Sequence, residues 1–406
     1  MIMNLKDEIG SGVTRTSMSR KITIEGVTTA QPVYRIPLNY LFYNDRNDRI
    51  ATWISEYRAE HDGQMPDSSD HEKYNSIIEE YIVKSNPDAI KKTQNNIELV
   101  DQREPGVVLM DGRIIDGNRR FTCLRRLAAE KGEKFNYFEA VILDRSIEKS
   151  AKQIKIMELN LQHGEEAKVD YNPIDRLVGI YHDIVETKLL TVEEYARASN
   201  ETVPEVDRRL KVANLMVEFL DFIGAPKKYH LARELQIYYP LEEYVKFASK
   251  IRTEDEAEDW KISVFNNILM NTGSDTTRFI RDFKKIVGTK HQQGFLEEQK
   301  DLAEKVLDKI QQENDSSETN SNTIRNLRAD KELTEELKTS AEKAQHKVNS
   351  AEILSQPVKL LEKAETAVNE IRVDIVRNKL SDAEKERFAE RLDSLLEALN
   401  YIKENI

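Results

Sequence analysis

The sequence predicts an α+β fold, with a small mixed α/β domain followed by an all-helical region. Three observations predict it. Strand-like runs cluster between Lys21 and Asp144. From Ser146 onward the apolar residues fall at helical spacing, and Gly294 is the last glycine of the chain. The C-terminal part carries two sustained three–four repeats of apolar residues, the pattern of a helical hairpin or coiled coil.

In chain order, residues 1–20 are polar and read as a flexible N-terminal arm. A domain over 21–145 holds the strands KITI (21–24), VYRI (33–36), VVLM (107–110), RII (113–115) and FEAVIL (138–143). These are β-branched and aromatic runs of the kind that fit a pleated, half-buried surface. Asp111-Gly112 between two of them signals a hairpin turn. A helical insertion at about 50–98 is broken by Pro66-Asp67-Ser68-Ser69. Helices then fill 146–223, and a bundle fills 224–294, where LARELQIYYPLEEYVKFASKI is apolar all round. NTGSDTTRFIRDF (271–283) reads as a polar turn and a capped helix.

The last region, 295–406, has a polar linker at 314–322 (NDSSETNSN). Beyond it Leu361, Ala364, Val368, Ile371 and Ile375 form one stripe, and Phe388, Leu392, Leu395, Leu399, Ile402 and Ile406 another. Pro357 suits the first turn of the earlier helix, and Ser381 with Glu384 forms a capping box for the later one. The two helices are expected to join near Asn378. Pairing within the chain and coiled-coil pairing between chains both satisfy this pattern.

Composition excludes several classes. Charged residues make up 33% of the chain and the net charge is −12, so any contact with nucleic acid has to be local. One cysteine, Cys123, rules out an internal disulfide and a cysteine-based zinc site, and it reads as a small core residue beside Leu127. No apolar run reaches transmembrane length and the start lacks a signal-peptide core, which predicts a cytoplasmic protein without membrane contact.

The segment DGNRRFTCLRRLA (116–128) runs from a short strand through a glycine turn into a helix opening with Arg119 and Arg120. Backbone N–H groups at a helix start face an anion, and paired guanidiniums clamp it. Residues 111–131 hold six basic and three acidic side chains, a local excess in an acidic chain. Arg125 and Arg126 lie further along and read as surface. A helix-turn-helix spacing follows at 189–215: Thr191 caps a first helix, Tyr195 and Ala196 face inward, Ser199-Asn200 turns, and a second helix starts near Val203–Pro204 with Val206 and Leu210 inward. Its cations Arg208, Arg209 and Lys211 are the candidate DNA contacts, although residues 186–216 hold five basic and six acidic side chains.

Four segments in this order resemble the ParB family of partition proteins. NDRNDR (44–49) looks like its Asn/Arg-rich first box, GNRRFT (117–122) like its GERRxR box, and NLQH (160–163) with DYNPID (170–175) like its ENLQR…LNPIE segment. The helix-turn-helix follows where the family has its own. The resemblance covers roughly residues 30–220. It implies a ParB/sulfiredoxin-like domain, CTP or another NTP bound with Mg2+, slow hydrolysis, and a homodimer clamped on double-stranded DNA. Gly117, Arg119 and Arg120 match phosphate-gripping positions, with Asn118 beside them. Asn160 matches an asparagine near triphosphate and metal, and Arg46 and Arg49 match first-box arginines. Glu158 is the further candidate metal ligand.

The chain departs from that pattern at Asn118, Thr122, Leu159 and His163, where the family has Glu, Arg, Glu and Arg. Sulfiredoxin chemistry is not expected, because that family's cysteine aligns with Asn118. His163 reads as a structural polar residue ahead of a base. DGNRR is also similar to boxes in DNA-modification and phage-restriction proteins of the same broad fold. That similarity keeps open a non-catalytic interaction protein, or an NTP-dependent regulator in phage defence with a partner ATPase or nuclease.

Overall fold

The computed structural model describes residues 4–24, 27–44, 47–144, 147–164, 172–313 and 318–406. A five-stranded sheet occupies the N-terminal part and helices dominate the remainder, giving a mixed α+β molecule. The strands are β1 (Thr14–Ile24), β2 (Val27–Pro37), β3 (Gly106–Leu109), β4 (Ile114–Asp116) and β5 (Tyr137–Leu143), in the sheet order β1-β2-β5-β3-β4. Among the described strands only β3 and β5 pair in parallel. The helix α4 (Asn118–Lys131) makes the crossover that this parallel pair requires.

The Asp111-Gly112 turn joins β3 to β4. Asp111 Oδ1 accepts from Arg113 N at 3.0 Å, and Gly112 has φ +94°. A Cβ at Gly112 would lie 2.2 Å from the Tyr40 carbonyl oxygen, so the turn needs glycine for space as well as for conformation. The first residues differ from the expected arm. Thr14–Arg20 belong to β1, Leu5 and Val13 are fully buried, and Leu5 N donates to the Met110 carbonyl at 2.8 Å. Leu5 and Val13 anchor it in the core, while Ile9 and Met18 stay exposed.

The insertion consists of α1 (Ala51–Glu60), α2 (His71–Ser85) and α3 (Pro87–Val100). Asp70 caps α2, while Asn86 caps α3 with Pro87 in its first turn. Tyr74, Ile78, Ile82, Ile90 and Ile97 share a core cluster with Phe121, Cys123, Leu124 and Leu127 of α4. The insertion therefore packs into the domain's core, and it brings the start of α3 beside the start of α4.

The remaining helices are α5 (Ile147–Gly164), α6 (Pro173–Tyr181), α7 (Val192–Ala198), α8 (Val203–Phe222), α9 (Tyr229–Glu234), α10 (Tyr238–Ala248), α11 (Glu254–Leu269), α12 (Thr276–Asp282), α13 (Gln292–Glu313), α14 (Ser321–Arg328), α15 (Lys331–Asn369), α16 (Val373–Lys379) and α17 (Asp382–Glu404). Thr191 and Thr202 form capping boxes with Glu194 and Glu205, Asn200 turns at φ +54°, and Tyr195, Ala196 and Val206 are buried. A π-helical turn, His182–Glu186, follows α6. Among the described residues no helix is long and apolar enough to cross a membrane.

The chain divides into two compact units, Met1–Glu342 and Lys343–Ile406. The boundary expected at residue 294 falls inside α13, where Gly294 is helical. Of the expected linker, 314–317 lie outside the described residues, Thr319 is buried, Asn320 caps α14, and Ser321 and Asn322 belong to that helix. Pro357 stands inside α15, not in a first turn. Proline removes one intrahelical hydrogen bond, and the helix-forming residues on both sides carry the helix past it. Two breaks replace the single joint near Asn378, which lies within α16, and the Ser381/Glu384 capping box opens α17.

Candidate phosphate site

The DGNRR turn is built for close approach. Gly117 caps α4 at φ +102°, and a Cβ there would lie 2.7 Å from Phe138 Cζ. Asn118, Arg119 and Arg120 occupy the first turn of α4, where backbone N–H groups have no intrahelical acceptor. Arg120 points back: its Nη2 donates to Asp116 Oδ2 at 3.0 Å, and Arg20 Nη1 donates to the same oxygen at 2.8 Å. Arg120 thus braces the turn through Asp116, while Arg119 lines both cavities beside the turn.

A cavity of about 270 Å³ opens beside Arg119. Asn47, Arg49, Trp53, Lys84, Asn86, Asn118, Arg119, Asn172, Asp175 and Arg233 line it together with Ile82, Ser85 and Ile90. Three sequence segments meet here: the first Asn/Arg box through Asn47 and Arg49, the glycine turn through Asn118 and Arg119, and the DYNPID segment through Asn172 and Asp175. Arg46 lies outside the described residues. A second cavity of about 160 Å³ lies on the other side of Arg49, Asn118 and Arg119, and Gly117 and Arg120 line that one.

Helix starts converge on the larger of these two cavities. Asn86 caps α3, Asn172 caps α6, and Asn47 caps the 3-10 turn Asp48–Ile50 that leads into α1. With the first turn of α4, the starts of three α-helices, α3, α4 and α6, border one space. Each contributes about 0.3–1 kcal/mol toward an anion, so together they rival one charge-assisted hydrogen bond and leave the larger share to the arginines. Four cationic side chains line the cavity, Arg49, Lys84, Arg119 and Arg233, with the carboxylate of Asp175; Lys84 also pairs with Glu80 at 2.6 Å and Arg233 with Glu56 at 3.1 Å. Asp175 accepts from Thr52 N at 2.8 Å, and burial pushes its carboxyl up to about 7. Asn118 is 7% exposed, and its amide oxygen is buried without a hydrogen-bond donor among the described residues. A ligand entering here would meet both an anion site and an unsatisfied acceptor.

Arg233 and Lys84 carried no sequence signal. Arg233 arrives from α9, donates to Thr52 Oγ1 at 2.8 Å and Glu56 Oε2 at 3.1 Å, and lies 3.7 Å from the centroid of the Trp53 ring. These contacts span about 180 residues of sequence, so local spacing could not reveal them. A lone arginine in an amphipathic helix reads as surface.

Glu158 and Asn160 do not come together. Glu158 is 2% exposed and faces a cavity of about 830 Å³ with Ala151, Ile154 and Lys155 of the same helix, while Asn160 is exposed. At 100° per residue two positions apart on a helix point to opposite sides, which explains the separation. Glu158 Oε1 accepts from Gln162 Nε2 at 3.2 Å, and burial beside Asp48 and Asp183 pushes its carboxyl up to about 8. Lys155 Nζ bonds both Asp48 oxygens at 2.9 and 3.0 Å and lies 3.2 Å from Asp183 Oδ2. Burial works against the Lys155 ammonium, but the Asp48, Glu158 and Asp183 carboxylates hold it well above the usual range. The cation among these carboxylates is a lysine. Among the described residues no set of three His, Cys, Asp or Glu side chains is placed to hold a metal ion, and Glu158 and Asn160 leave their helix on opposite sides. His163 and its side-chain contacts lie outside the described side chains.

The cations of α8 all face acids. Arg209 and Arg176 share Glu201, Lys211 pairs with Asp207 at 2.9 Å, and Arg208 lies 3.5 Å from Glu242. No free basic stripe results. Cys123 is buried, and burial pushes its thiol up to about 12, which suits a packing residue. No protein-family model matches the chain, and a search of curated proteins returned no match.

Proposed function

We propose that the chain is a ParB-like nucleotide-binding protein whose cavity at Arg119 holds the phosphates of a nucleoside triphosphate. The carrying observation is that Arg49, Arg119 and Arg233 line one cavity with the starts of three α-helices and with Asn118, whose buried amide oxygen is unsatisfied. The cations and N–H groups would take the phosphates, and a ribose hydroxyl would supply the donor that Asn118 lacks. Hydrolysis needs a positioned base or metal, and Glu158 faces the other cavity. The supported reading is binding that switches state, with DNA engagement by α8 as the output the family resemblance implies. For that output Arg208 and Lys211 would exchange Glu242 and Asp207 for DNA phosphates.

Binding of a nucleoside triphosphate with magnesium to the full chain, measured by calorimetry, tests this reading. The parent should bind at sub-millimolar concentration. Arg119→Ala should lose about ten- to hundredfold, the worth of one hydrogen bond to a charged group. An absence of binding by the parent ends the reading.

A second reading has its own observation. In α15 and α17 Leu361, Val368, Leu392, Leu399 and Ile402 are exposed, and neither α16 nor α17 has a buried residue. Apolar stripes at coiled-coil spacing favour pairing with a second copy of this chain. Assembly through the tail is compatible with a nucleotide switch or with an interaction protein that has none.

A further inference from the structure

We propose that α17 pairs with α17 of a second copy in the antiparallel sense, with Asp382 of each chain beside Lys403 of the other. This rests on the self-pairing reading of the tail and specifies the pairing surface and its direction. Phe388, Leu392, Leu395, Leu399 and Ile402 alternate spacings of four and three along α17, and none is buried. In heptad terms Lys385, Leu392 and Leu399 take the a positions, and Phe388, Leu395 and Ile402 the d positions. Glu390, Glu397 and Glu404 then share the f position, away from the seam, where their charges stay in water. Ala389 and Leu396, at e, widen the apolar face, and Leu396 is 50% exposed.

The two directions bring different groups together. A parallel, in-register pair sets like positions opposite one another, so Lys385 would meet Lys385 of the second copy at the seam. Its flanking g-to-e contacts would be Glu384 with Ala389, Arg391 with Leu396 and Ala398 with Lys403. None of these joins opposite charges. An antiparallel pair sets a against d, and e against e. Full overlap of the two helices then stacks Lys385 on Ile402, Phe388 on Leu399 and Leu392 on Leu395, each layer occurring twice by symmetry. Along the e edge Ala389 meets Leu396, which covers that leucine, and Asp382 meets Lys403. The lysine–lysine contact is gone and two ion pairs flank the seam. In the single copy Asp382 lies 3.9 Å from Lys385, at the outer limit of an ion pair, with its side chain fully exposed. Asp382 stands in the first turn of α17 and Lys403 in the last, so each also sits at the helix end that favours its charge. Exposed ion pairs are weak, so they choose the direction while the apolar layers supply the affinity.

Sedimentation and oxidative cross-linking of the full chain test this. Phe388→Cys and Leu399→Cys are made separately, and the parent is the control because its natural Cys123 is buried. Antiparallel pairing leaves each variant uncrosslinked alone and gives a covalent dimer when the two are mixed, since only the mixture brings thiols within disulfide reach. Each variant cross-linking to itself is the parallel result, and it overturns the inference while self-pairing stands. A dimer that cross-links neither alone nor mixed places the interface off this seam and overturns it too. Charge reversal repeats the comparison should the cysteine variants dimerise poorly. Asp382→Lys and Lys403→Asp should each weaken the dimer about threefold or more, and the double variant should pair more tightly than either single. Both reversals oppose the helix dipole, so recovery comes only from the two positions meeting across the interface. A double variant weaker than both singles overturns the inference. A parent that stays monomeric ends the self-pairing reading, and the inference with it.

Discussion

The Thr122 hydroxyl and the Tyr43 phenol meet at 2.8 Å in a fully buried pair. Thr122 Oγ1 donates to the Asn118 carbonyl at 3.0 Å, and its single proton is then used, so Tyr43 is the donor in the pair. Burial also holds the Tyr43 phenol well above its usual range, which keeps that proton in place. The bond ties the start of the first Asn/Arg box to the first turn of α4. Thr122 stands where the resembling family carries an arginine, and this core has no room for a charge.

Removing either partner should cost unequal amounts. Thr122→Val leaves a buried phenol without an acceptor and should destabilise by about 1–3 kcal/mol. Tyr43→Phe leaves Thr122 still bonded to Asn118 and should cost about 0.5–1.5 kcal/mol. Denaturant melts of the two variants check the order. Equal costs, or a larger cost for Tyr43→Phe, would reverse the assignment of the donor.

Gly117→Ala should damage the site before it damages the fold. The alanine Cβ would sit 2.7 Å from Phe138 Cζ at φ +102°, in a conformation that L-residues avoid. Relief requires the start of α4 to shift, and Asn118 and Arg119 shift with it. The expected loss is about 1–3 kcal/mol of stability and at least about tenfold in phosphate affinity. Thermal melts and titration of the same sample separate the two effects.

Binding should be proton-linked through Asp175. Its carboxyl lines the cavity and titrates at about 7, above the ordinary 3.8, because it is buried. An anion favours the protonated form, so affinity should fall as pH rises through 7. The fall approaches about tenfold per pH unit when only the protonated form binds. A terminal phosphate gains charge above its own second pKa of about 6, the opposite trend, so Asp175→Asn should show that trend alone. The stability sign follows from the same shift. The folded state keeps this proton to higher pH than the unfolded chain, so Asp175 costs nothing below about pH 4 and destabilises increasingly as pH rises to about 7. Asp175→Asn should therefore stabilise the protein more at pH 8 than at pH 5.

What was legible in the sequence was local chemistry. The Asp111-Gly112 turn, the Thr191 cap, the Ser381 capping box and the β-branched strands announce themselves within a few residues, and the structure has them. The site was legible in part, because Arg49, Asn118 and Arg119 sit in segments whose order can be compared with a family. Arg233 and Trp53 were invisible, since their pairing joins α9 to α1 across the fold. Glu158 lines a different cavity for a related reason. One helical step decides which cavity a side chain enters, and the step cannot be read until the helix is packed.

The tail should govern assembly without carrying the fold of the first unit. In α17 Leu392, Leu399 and Ile402 are 39%, 37% and 46% exposed in a single copy, although their spacing is that of a coiled-coil seam. Burying a leucine contributes about 1.5–3 kcal/mol, so a few such positions are enough for micromolar pairing. Sedimentation of the parent should show a concentration-dependent dimer, and Leu392→Lys/Leu399→Lys should leave a monomer. Because neither leucine is buried in the chain itself, the double variant should melt within about 1 kcal/mol of the monomeric parent, as exposed substitutions do. A parent that stays monomeric at high concentration removes self-pairing and points the stripe at a different protein. A variant that stays dimeric moves the interface to another surface of the molecule.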